Sequence, residues 1–123
     1  MSPCEDAEHL INFIFTNTQY WKSVSVLTAS GFTPRTAKKQ KQEWYEEHFP
    51  ILRDNVICVD KSPDKAAYAH HRAILIDDRM KSIEPWIAAG GIGILHKNSQ
   101  DTIQQLCKIL EYDIIQFPYL GDY

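Results

Sequence analysis

The sequence predicts an α/β protein: a three-layer, Rossmann-like sandwich with a parallel sheet of about four strands. Two observations carry the prediction. Short apolar runs alternate along the chain with longer amphipathic stretches, in the order α-β-α-β-α-β-α-β-α. The runs are also nearly continuous in apolar residues, as strands buried on both faces are, rather than alternating as half-solvated strands do. Right-handed crossovers between such strands place helices on both sheet faces.

The first helix has a start signal in Ser2, Pro3 and Glu5: a capping hydroxyl, a proline suited to the first helical position, and a capping-box glutamate. Ala7, Leu10, Ile11 and Ile14 then recur at helical spacing. The stretch 10–15 is rich in β-formers, but a strand there leaves too few residues for a parallel crossover to the next one. Ser23–Thr28 (SVSVLT) is the first strand, ending at the small Ala29-Ser30-Gly31. A polar, basic helix runs over 34–48, carrying Tyr45 and, as a core anchor, Trp44, and Phe49-Pro50 stops it. Asn55–Val59 is the second strand and Asp64–Ala69 a short helix. Ala73–Ile76 (AILI) is the third strand and leads directly into Asp77-Asp78. A helix over 81–89, anchored by Trp86, stops at Gly90-Gly91. Ile92–Leu95 is the fourth strand. Ser99 caps a last helix to Leu110, with Ile103, Leu106, Cys107 and Leu110 on its buried side. No repeat or low-complexity linker interrupts the chain, so residues 1–123 read as one domain.

Composition narrows the function classes. Hydrophobic residues at 44% and charged residues at 24% describe a globular chain. No apolar stretch reaches the roughly 20 residues of a membrane span, and the acidic start MSPCEDAEHL is not a signal peptide. A net charge of −3 argues against nucleic-acid binding, the short basic run 35–41 (RTAKKQK) notwithstanding. Cys4, Cys58 and Cys107 lack metal or redox spacing and read as small buried hydrophobes in a reducing cytoplasm.

In parallel sheets ligands bind beyond the carboxyl ends of the strands. The polar residues expected there are Thr28 and Ser30, Asp60 and Lys61, and the Asp77-Asp78 pair, with Lys41 and Lys65 on the intervening helices. Hydroxyl, ammonium and paired carboxylates at one edge suit a phosphate bound beside a hard cation. Hydroxyls and lysines meet phosphate oxygens, and carboxylates hold a magnesium ion that keeps waters and a phosphate. His70-His71 reads as a solvated helix end.

A strand ending in Thr28, then a lysine, then a strand ending in Asp77-Asp78 resembles the second, third and fourth motifs of the haloacid-dehalogenase (HAD) superfamily. More closely, VLTAS, KQEWYEEHFP, DKAAYA, AILIDDR and EPWIAAGGIGILH resemble its 5'(3')-deoxyribonucleotidase branch, over about residues 20–110. The resemblance implies that Thr28, Ser30, Lys41 and Lys65 contact a phosphate, with Lys61 a rival to Lys65. It implies that Asp77 and Asp78 bind or position magnesium, and that the ligand is a nucleoside monophosphate or phosphate.

The family's chemistry starts from a DxD motif after a central strand, whose first aspartate attacks phosphorus. No DxD occurs in the chain, and none of Asp6, Asp113 and Asp122 follows an expected strand. Against the family pattern the domain is short at its front: the nucleophile strand, central between the motif-two and motif-four strands, is missing, as is the cap. Either the gap closes and the two neighbouring strands pair directly, or a complementing chain, a second copy or the C-terminal tail fills it, although Pro118 argues against the tail as a central strand. Two main readings follow: half of a split magnesium-dependent phosphatase, inactive alone, or a non-catalytic module that binds a nucleotide or a protein. A truncated remnant is the third.

Overall fold

The computed structural model describes residues 3–29, 34–112 and 115–121. Its elements are α1 (Pro3–Thr16), β1 (Ser25–Ala29), α2 (Pro34–His48), β2 (Val56–Val59), β3 (Ala73–Asp77), α3 (Met80–Ala88), β4 (Ile92–Leu95), α4 (Ser99–Leu110) and β5 (Phe117–Leu120). Short 3-10 turns cover Thr18–Tyr20, Pro50–Asn55 and Ser62–Tyr68. The last of these replaces the expected α-helix over 64–69. Ser2, the expected cap of α1, lies outside the described residues.

The sheet has five parallel strands in the order β2-β1-β5-β3-β4, one more than the apolar runs suggest. The α/β class and the parallel sheet are as the sequence predicts. The β1→β2 and β4→β5 connections step toward the β2 edge and carry α2 and α4 on one face, where Tyr45 and Leu106 join the larger core cluster. The β2→β3 and β3→β4 connections step the other way and carry the 3-10 segment and α3 on the opposite face, around Ile83 and Trp86. Reversing direction and face together keeps one hand throughout, as parallel crossovers require.

Helix α1 packs with α4 and puts Leu10, Ile11 and Ile14 fully out of solvent. Each such burial is worth about 1.5–3 kcal/mol. Its last carbonyls are satisfied from three sides: Thr16 Oγ1 donates to Asn12 O, Asn17 Nδ2 to Phe13 O, and Trp21 Nε1 to Ile14 O at 2.8 Å. The cap of α4 is Asn98, whose side chain accepts the Asp101 N–H at 2.8 Å, and not Ser99. Ser99 is buried at position one of the helix and gives its own N–H to Asp6 of α1 at 2.6 Å. Cys107 is exposed and Cys58 half-buried, so the expectation of buried cysteines fails for both; Ser99 and Thr102, with Leu106, are the buried residues of α4. Trp86 is fully buried, as expected, whereas Trp44 is half-buried and stacks on His48. Gly90, at φ +95°, ends α3 in the left-handed conformation its position in the sequence suggests.

The central strand is the tail. β5 lies between β1 and β3, and Pro118 sits inside it, buried and in register with Ile74. The expectation that Pro118 bars the tail from this place is therefore wrong, and the hydrogen-bond alternation explains why. Phe117 N donates to Arg72 O and Gly121 N to Ile76 O at 2.7 Å, so odd-numbered N–H groups of β5 point to β3. The nitrogen of Pro118 points to the β1 side, where pairing begins only at Ser25 with Tyr119. The absent donor falls before the β1 ladder starts.

Candidate functional site

The register sets what stands at the carboxyl edge. Val26, Leu120 and Ile76 are level across β1, β5 and β3. One step further, Gly121 meets Asp77, the last residue of β3, and one step beyond Leu27 on β1 comes Thr28. The β3 run reaches this edge fully buried, from Ala73 to Asp77, because two strands and two helical layers surround it.

Asp77 is the centre of the arrangement. Its Oδ2 accepts from Lys65 Nζ at 2.7 Å, and neither side chain has solvent exposure. Its Oδ1 accepts the Arg79 N–H at 3.1 Å, which starts the turn into α3. Lys65 reaches this position from the Ser62–Tyr68 segment, which packs against α3. A 3-10 winding there, begun by Asp64 accepting the Lys61 N–H at 3.0 Å, turns Lys65 inward and leaves Lys61 exposed. Of the two candidate lysines, Lys65 is the one at the carboxylate.

Strand alternation divides the remaining candidates. Thr28 is buried and shares the α2 face with Val26, whereas Asp77 shares the opposite face with Leu75 and Lys65. Lys41, half-buried on α2, lies one helical turn before the buried Tyr45 and so on the sheet-facing stripe. Asp78 is exposed, with Arg79 Nε at 4.0 Å from its Oδ1. Asp60 is exposed as well. Ser30 lies outside the described residues. The structure thus joins Lys65 to Asp77 on one face and sets Thr28 on the other, with Lys41 partway along the helix that covers that second face.

Two features went unnoticed in the sequence. The first is Gly121. A Cβ on it would lie 2.3 Å from Asp77 Oδ2 and 2.9 Å from Asp77 Cβ, so the backbone fits only without a side chain. A glycine directly after the apolar YL pair was the available signal. The second is a network behind Asp77. His96 N donates to Asp77 O at 2.7 Å, and the His96 ring contacts Asp6 Oδ2 at 2.8 Å and Thr102 Oγ1 at 2.7 Å. His9 adds a contact to Ser99 Oγ at 2.9 Å. Burial raises the Asp6 carboxyl, but the Ser99 N–H, the His96 ring and the Ser99 hydroxyl outweigh it and hold it below its ordinary value. This network ties α1 and α4 to the strand edge; Thr102 is fully buried, so its hydroxyl has no access to a substrate.

Magnesium fits poorly on these residues. It takes one or two carboxylate oxygens, with waters and phosphate completing an octahedron. Both oxygens of Asp77 are engaged, one by a cation, and Asp78 stands alone at the exposed rim. Among the described residues no group of three or more His, Cys, Asp or Glu is placed to hold a metal ion.

Fold and edge together define a parallel α/β protein with a buried lysine–aspartate pair where ligands of such sheets bind. Compared with protein-family models, with curated proteins and with solved structures, the chain matches none. No helix among the described residues is long and apolar enough to cross a membrane.

Proposed function

We propose that the chain is a HAD-like module that binds a phosphate ester, such as a nucleoside monophosphate, at the carboxyl edge of its sheet and does not hydrolyse it. One observation carries this reading: the residue that directly follows the central strand, where the resemblance places an attacking aspartate, is Gly121, packed against Asp77. In-line attack on phosphorus needs a carboxylate there. Thr28 carries a hydroxyl at the edge and Lys41 an ammonium on the helix over that face, groups of the kind that bind phosphate oxygens by charge-assisted hydrogen bonds. The split-phosphatase reading has less support, because β5 already holds the strand position a complementing chain would take.

The test is calorimetry of the intact chain with thymidine monophosphate, alongside release of inorganic phosphate from the same compound. Saturable heat without phosphate release is expected, with affinity lowered about tenfold or more by Thr28→Val, the scale of one hydrogen bond to a charged group. Hydrolysis by the wild type that disappears in Asp122→Asn, whose parent residue follows Gly121 in the chain, would show that the protein is an enzyme. Absence of any heat would remove the ligand from the reading.

A further inference from the structure

The position of Lys65 bears on how such a ligand is held. The HAD resemblance leads one to expect a divalent cation between carboxylate and phosphate. In this chain the cation against the carboxylate belongs to the protein. Lys65 Nζ is 2.7 Å from Asp77 Oδ2, with both side chains fully buried, and the second oxygen of Asp77 is turned into the backbone by the Arg79 N–H. The Asp77 carboxylate cannot back away from this arrangement, because Gly121 packs so closely that even a methyl group there would overlap Oδ2. His96 N fixes the Asp77 carbonyl from the other side at 2.7 Å. A magnesium ion on Asp77 would have to displace a buried ammonium, leaving that charge unpaired, or share an oxygen with it at close range.

We propose that the Lys65–Asp77 pair occupies the carboxylate a divalent cation would use at this edge, so that phosphate-ester binding is independent of magnesium. The inference rests on the ligand class proposed above, and it concerns only whether Asp77 is open to a metal ion. The buried ammonium neutralises Asp77 as a fixed point charge, which leaves that carboxylate no demand for a second cation.

Three measurements on the intact chain test it. Calorimetric titration with thymidine monophosphate, once with excess EDTA and once with magnesium, should give dissociation constants within about threefold of each other. Tenfold tighter binding with magnesium would overturn the inference, while no heat in either buffer would overturn the ligand reading and the inference with it. Manganese is the second probe: the electron paramagnetic resonance signal of the free ion should be undiminished by the wild type. Stoichiometric uptake that Asp77→Asn abolishes would overturn the proposal. In Lys65→Met the Asp77 oxygen is released, and manganese uptake or magnesium-dependent thermal stabilisation should appear. A folded Lys65→Met that ignores both ions would also overturn it. Should that variant not fold, Lys65→Met/Asp77→Asn serves as control and the wild-type manganese titration decides.

Discussion

Replacing Gly121 by alanine tests whether the central strand is seated as described. The new Cβ would stand 2.3 Å from Asp77 Oδ2, 2.7 Å from Cγ and 2.9 Å from Cβ. Non-bonded heavy atoms sit at roughly 3.5–4.0 Å, so a displacement of about 1 Å is needed. Neither side can yield it cheaply: Gly121 N is bonded to Ile76 O at 2.7 Å, and Asp77 is held by Lys65 and by Arg79 N. Overpacking of this kind costs about 1–3 kcal/mol, and loosening the buried ion pair adds part of the roughly 3–5 kcal/mol that breaking one costs. Gly121 is not at positive φ, so alanine recovers about 0.4–1 kcal/mol through the unfolded chain. The net expectation is a loss of at least about 2 kcal/mol in urea unfolding. The same substitution in a Lys65→Met/Asp77→Gly background meets neither the carboxylate nor the Cβ of residue 77 and should cost well under half as much. Equal losses in the two backgrounds would refute the contact between the end of β5 and Asp77.

Lys65→Met leaves a buried carboxylate uncompensated and should destabilise by about 3–5 kcal/mol, whereas Lys65→Met/Asp77→Leu should regain most of it; urea midpoints of both variants check this. Pro118→Ala should cost about 1–2 kcal/mol, the loss of buried ring methylenes, because the new N–H faces the segment before Ser25, ahead of the β1–β5 ladder. Stabilisation instead would mean that the missing donor had been costly. The Asp6 carboxyl lies below its ordinary value of 3.8 in the folded chain, so it binds protons more weakly there than in the unfolded chain. Its contribution to stability is therefore complete above pH 3.8 and lost as pH falls through the lowered value. Urea midpoints of wild type and Asp6→Asn should differ at neutral pH and converge in acid.

Much of the fold was legible because periodicity reports burial. The AILI run says that β3 is covered on both sides, and β3 is the most completely buried strand. The bounds of α2, β4 and α4 follow from the same patterning and, for the first two, from nearby punctuation at Pro50 and Gly91. The tail was misread for a local reason. Proline is judged by the donor it lacks, but the consequence depends on which neighbour that donor would face, and register decides this. Cys107 was misplaced because cysteine is apolar enough to extend a stripe, although Thr102 and Ser99 hold the inner positions through bonds to His96 and His9. Lys65 could not be separated from Lys61 by composition. The choice depends on the 3-10 winding, which advances each residue by 120° instead of 100° and turns one lysine inward.

The placing of Gly121 against Asp77 and the pairing of Asp77 with Lys65 are linked. The parallel register, in which Leu120 meets both Val26 and Ile76, brings the residue after β5 level with Asp77. With Asp77 already drawn onto Lys65, the space beside it admits a backbone and no Cβ. Glycine is thus what the ion pair demands of whichever strand fills the centre. An aspartate at position 121 would carry the same misplaced Cβ and set a second carboxylate against Asp77, competing for the one ammonium. On the proposed HAD-like reading, attack chemistry at this position would require more than a carboxylate: Asp77 must first be released from Lys65. On this argument Gly121→Asp alone yields a destabilised protein without phosphatase activity, and any phosphate release by that single variant would break the link drawn here between the pair and the glycine.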